Sequence, residues 1–132
     1  MGQYHLTVNL DKKEFLHPHK LGDGLKLWEQ ANSFAGTAVA LLLLLACSNG
    51  RGGGDVPSHP LVGRWAGDRI AVVGDYAVEN DLASEHQAQT IYARCCEGEF
   101  RDITDEVVPL LEQICRVRIT GSGWRDKCRR IH

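Results

Sequence analysis

The stretch Ala38-Val-Ala-Leu-Leu-Leu-Leu-Leu-Ala-Cys47 is apolar without a break, and it empties into Ser48-Asn-Gly-Arg-Gly-Gly-Gly-Asp55. A helix that is apolar on every side has to be enclosed, by its own domain or by a membrane. The run is too short for a bilayer, which needs about 20 residues. The pattern therefore predicts a fully buried central helix over 37–47, against which the rest of the chain packs. Asn49-Gly50 supplies a stop, because glycine takes the left-handed conformation that closes a helix.

Upstream, Tyr4, Leu6, Val8 and Leu10 alternate with His5, Thr7 and Asn9, the period of a half-buried strand. Asp11-Lys-Lys13 is a polar turn, and Glu14-Phe-Leu16 returns as the second arm of a hairpin. Pro18 then takes the chain out of the sheet, since it cannot donate to a ladder. Asp23 is placed to cap a short helix over 25–31. Downstream, 51–64 holds four glycines and two prolines, so no regular element fits. Arg69-Ile-Ala-Val-Val73 reads as a central strand, 85–97 as a helix with Ile91, Tyr92, Cys95 and Cys96 inward, and 116–120 as an edge strand. Between them Asp102 or Thr104 starts another helix, which Pro109 either kinks or splits. These elements in mixed order give an α+β class, a small mixed sheet packed on the central helix, in one domain spanning 1–132. The basic end, 121–132, reads as a solvated tail.

The 132 residues carry 15 basic and 17 acidic side chains, a net charge of −2, which disfavours duplex DNA as a partner. Five cysteines without a CxxC spacing fit a reducing compartment better than a disulfide framework. Leu44-Leu-Ala-Cys47 imitates a lipoprotein cleavage box, but a stretch of more than forty residues that carries many charges precedes it. The expected location is cytoplasmic, with no membrane association.

Candidate chemistry centres on the glycine loop. Successive glycine N–H groups at Gly52, Gly53 and Gly54, with Asn49, Arg51 and Asp55 beside them, can cradle an anion. The loop lacks the Gly-Lys-Ser/Thr of a Walker motif and follows a helix instead of a strand, so a sharp turn or a lid is the competing reading. Trp65 packs, or stacks a planar ligand beside the loop. Asp55, His59, Asp68 and Asp75 can hold a hard metal or move protons. Yet Gly-Asp pairs at 22–23, 54–55, 67–68 and 74–75 are also ordinary turn chemistry. His17 and His19 share a face only if extended. No cofactor, no metal set and no nucleophile–base pair stands out, so the residues leave open whether the chain is catalytic.

Met1-Gly-Gln-Tyr4, Val8-Asn-Leu-Asp-Lys-Lys-Glu-Phe-Leu-His-Pro-His-Lys20, Ser48-Asn-Gly-Arg-Gly-Gly-Gly-Asp55, Gly63-Arg-Trp-Ala-Gly-Asp-Arg-Ile70, Val73-Gly-Asp-Tyr76 and Phe100-Arg-Asp-Ile-Thr104 are distinctive motifs. Through them the chain resembles a family of small uncharacterised bacterial and phage proteins. The resemblance carries no established activity and assigns no catalytic residue; a phage setting favours an accessory protein that binds and modulates a host component, with an unknown host or phage protein as partner. The expectation is therefore a protein-binding module acting through the loop at 49–68. The alternative is a small enzyme or sensor for a phosphorylated, nucleotide-like ligand held at the same loop.

Overall fold

A computed structural model describes residues 3–31, 33–49 and 56–119 together with the strand at 128–130. The alternating segment becomes β1 (His5–Asn9), which lies inside a four-stranded sheet between β2 (Glu14–Leu16) and β3 (Ile70–Gly74), antiparallel to both. β4 (Arg101–Asp102) joins the far side of β2 in parallel, giving the order β3-β1-β2-β4. The fold is α+β with a small mixed sheet, as the order of elements predicts, but β3, expected as a central strand from its β-branched run, lies at the edge of the sheet.

Both faces of the sheet are covered, so β1 is not half-buried. Leu6 and Val8 meet Phe15, Val73, Ile91, Cys95 and Phe100 in a cluster under α2 (Ala88–Cys96). Thr7 and Asn9 on the other face are buried as well. There Leu16 belongs to a larger cluster with α1 (Thr37–Leu45) and α3 (Thr104–Cys115), through Leu43, Leu44, Trp65, Val107 and Leu111. The buried Asn9 earns its place by building the hairpin: its Oδ1 accepts from the N–H groups of Asp11 and Lys12 at 2.9 and 2.7 Å.

α1 is shorter than predicted and is not enclosed all round. Thr37, Ala40, Leu43 and Leu44 face the core, while Leu42 is 70% exposed and Leu45 37%. A helix apolar on every side carries no periodicity, so its sequence could not say which side faces water. Asp23 caps this helix rather than the segment next to it. Its Oδ2 accepts from the Thr37 N–H at 2.7 Å and the Thr37 hydroxyl at 2.8 Å, and its Oδ1 from Ser33. Leu27–Gln30 form only a single 3₁₀ turn. At the other end, the carbonyls of Leu43 and Leu44, which no further helical turn can satisfy, accept from Gly63 N–H at 2.9 Å and Trp65 N–H at 2.8 Å. Gly63 sits at φ +85 with room for no side chain, since a Cβ would lie 2.7 Å from the Ala46 carbonyl oxygen.

α3 runs unbroken through Pro109, so the element is not split there. α2 starts three residues later than predicted, after a 3₁₀ turn at Ser84–His86, and turns Cys96 outward while Cys95 stays buried. β5 (Val117–Ile119) pairs antiparallel with β6 (Cys128–Arg130), so part of the basic tail is drawn into a second, two-stranded sheet. Among the described residues no helix is long and apolar enough to cross a membrane.

Candidate functional site

The loop expected to carry function divides in two. Arg51, Gly52, Gly53, Gly54 and Asp55, the anion cradle, lie outside the described residues. Asn49 closes a turn, its Nδ2 donating to the Val56 carbonyl at 3.3 Å. Trp65 is a correction: its ring is fully buried in the core, and its Nε1–H donates to Glu14 Oε1 at 2.8 Å, so it offers no face to a ligand. Asp68 accepts from Asn9 Nδ2 at 2.8 Å and from Lys12 Nζ at 2.5 Å. His59 accepts the Leu61 N–H on Nδ1, and Asp75 accepts the Tyr4 N–H. Each of these side chains does local turn or strand-end work, and they do not converge.

A different set of residues does converge. Parallel pairing of β2 with β4 sets Glu14 against Arg101 and Phe15 against Asp102, from opposite ends of the chain. α2 crosses this end of the sheet, stops at Cys96 and turns at Gly98 (φ +89). Pro18 opens a 3₁₀ turn, Pro18–Leu21, that carries Lys20 back over the same place. The result is a cleft of about 590 Å³. Leu6, Phe15, Phe100 and Cys95 give it apolar walls, and Tyr92, Cys96, His17, Lys20, Arg101 and Asp102 line it with polar groups.

The polar side is held by one chain of contacts. The His17 N–H donates to the Thr104 hydroxyl at 2.7 Å, and that hydroxyl donates to Asp102 Oδ1 at 2.6 Å. The same oxygen accepts the Thr104 N–H at 2.9 Å, and Oδ2 meets Lys20 Nζ at 2.9 Å. Burial acts to raise the Asp102 pKa, but the bonds from Thr104 and Lys20 outweigh it and hold the carboxyl below its ordinary range. Lys20 is raised in turn, chiefly by its hydrogen bond to Asp102. His17 is pushed the other way. Burial lowers its pKa, the charges of His19 and Lys20 add to this, and Asp102 only partly opposes it. Its Nδ1 is out of water and has no hydrogen-bond partner among the described residues. Burial, with Cys96 next, pushes the Cys95 thiol up to about 12, so it stays protonated as part of the wall.

Arg101 links the cleft to a second polar centre. The buried Glu14 carboxylate accepts from Arg64 Nε at 3.0 Å and Nη2 at 2.5 Å, from Trp65, and from Arg101 Nη1 at 3.1 Å. Burial alone would raise its pKa, yet these bonds and the two guanidinium charges bring it below the usual carboxylate value. Arg101 also pairs with Glu106 on α3.

No spacing in the sequence announces this site, because its halves are more than eighty residues apart. The legible signals were partial: His17 and His19 flanking Pro18, and Phe100-Arg-Asp-Ile-Thr104 as a helix start. The two rings do lie together, with centroids 5.6 Å apart. Among the described residues no three His, Cys, Asp or Glu side chains are grouped to hold a metal ion. No family model, curated protein or solved structure matches the chain.

Proposed function

We propose that this chain is a small-ligand-binding protein whose site is the cleft between the end of α2 and the β2–β4 edge. The observation that carries this reading is the cleft itself, where half-buried Tyr92 and His17 and exposed Cys96 converge over a buried apolar floor of Leu6, Phe15 and Phe100. Ligand sites have this make-up, mostly apolar with a few convergent polar groups, and a volume in the range of about 300–1,000 Å³. The charges around the cleft are already matched, Lys20 by Asp102 and Arg101 by Glu14 and Glu106. A strongly charged ligand would therefore lose its hydration without gaining a free counter-ion. The class that fits is a neutral, flat heteroaromatic molecule with a donor–acceptor edge. Its ring would lie against Tyr92 above this floor, and its edge would meet the His17 side of the cleft.

Calorimetric titration with adenine and nicotinamide, and with benzoate as the charged control, tests this. Saturable binding of a neutral ring, abolished by a Cys96→Trp plug at the mouth, is the expected result. His17→Phe should weaken it by roughly 2- to 10-fold, the worth of one hydrogen bond. Absence of saturable binding into the millimolar range, or undiminished binding in Cys96→Trp, would overturn the reading.

A further inference from the structure

We infer that the C-terminal hairpin, β5 with β6, is a docking face for single-stranded nucleic acid, with Arg116, Arg118 and Arg129 serving its phosphates. Charge along this chain is strongly polarised. Residues 116–132 carry six basic side chains and one acidic, a net +5, whereas 1–115 carry nine and sixteen, a net −7. The overall −2 hides this division. Such asymmetry concentrates the attraction for a polyanion in one segment, provided that segment is built into a surface.

The hairpin builds it. Antiparallel pairing sets Val117 across from Arg130, Arg118 across from Arg129 and Ile119 across from Cys128. Val117 and Ile119 are buried against the domain, and Arg118 between them is exposed. Cross-strand partners share a face, so positions 118 and 129 stand together on the outer one, with Cβ atoms about 5 Å apart. Arg116, exposed and at φ +55, ends α3 and leads into the same strand. Neither Arg116 nor Arg118 has an ion-pair partner among the described residues. Glu112, which α3 brings to this strand, accepts the Ile119 N–H at 2.9 Å. Like charges directly opposite in a sheet repel, and an anion laid over the pair removes that cost.

A single strand is the occupant this face fits. Its phosphates are fixed charges on a backbone, whereas the carboxylates of an acidic peptide must give up rotamer freedom to be held. A duplex is stiff over this length and carries its phosphates past the hairpin toward the net −7 body, from which a flexible strand can bend away.

Fluorescence anisotropy of a labelled oligothymidylate of about 15 nucleotides, the span of one small binding face, tests the proposal on the full chain. Binding should be saturable at low salt, and with about three phosphates neutralised log K should fall against log salt with a slope of about −2. Arg118→Glu and Arg129→Glu should each weaken it by roughly tenfold or more. Arg118→Ala should flatten the slope by about 0.7, and Arg118→Lys, which keeps the charge, should restore it. Circular dichroism of each variant checks the fold. Absence of binding at low salt, affinity independent of salt, affinity unchanged in both glutamate variants, or equal affinity for a duplex of the same length or for polyglutamate would each overturn it.

Discussion

Glu14 shows how much one side chain can tie together. It is the buried meeting point of Arg64, Trp65 and Arg101, and removing one partner of a buried pair costs about 3–5 kcal/mol. Glu14→Ala should fall at the low end of that range, because both guanidiniums reach water and can be rehydrated, and urea unfolding measures it. The pH dependence follows from the lowered carboxyl pKa. The stabilisation is complete above the unfolded value of 4.5 and is lost as pH falls through the lower folded value, so the gap to Glu14→Gln should close in acid. His17 works in the opposite protonation state. Its folded pKa lies below 6.5, so the imidazole stays neutral until the pH drops under that value, and ligand affinity in the cleft should then fall. A titration series in His17→Phe should lack this pH dependence. The unfolded chain takes up the His17 proton first, so acidification through the same window also lowers stability.

At the scale of elements, α1 depends on a residue well outside it. Asp23→Ala removes the acceptor for the Thr37 N–H and hydroxyl and should cost about 1–2 kcal/mol, read as a lower thermal midpoint. Gly36→Ala should be comparably costly, because a Cβ there would lie 2.0 Å from Ser33 Oγ and 2.5 Å from Asp23 Oδ2. What the sequence made legible and what it hid both show in this element. Its position and apolar character are local properties, so Ala38–Leu45 was readable. Its exposed side at Leu42 was not, because leucine on every face leaves no stripe to read. Asp23 was recognisable as a cap from its type and the glycines beside it, but it chose the helix fourteen residues on over the segment that follows it directly. Capping depends on where a carboxylate ends up in space, and sequence distance does not report that.

The whole molecule is three layers, with α2 on one face of the sheet and α1 with α3 on the other. β1's alternation predicted a strand correctly and its environment incorrectly, since Thr7 and Asn9 read as solvent-facing until a second layer of helices covers them. The cleft was invisible for a related reason. It exists because β4 pairs with β2 across 87 positions, and no local pattern encodes a parallel pairing of two residues. Val72→Lys should leave adenine or nicotinamide affinity within about twofold, because Val72 pairs with Thr7 on the face of the sheet away from Leu6 and the cleft.

The carbonyls of Leu43 and Leu44 reach across to Gly63 and Trp65, clamping the chain on both sides of residues 47–62. The fastener here is the backbone itself, so position 63 is a seam that admits no splice: a tag inserted at Gly63 should part both bonds at once and unseat α1, read as a lower thermal midpoint.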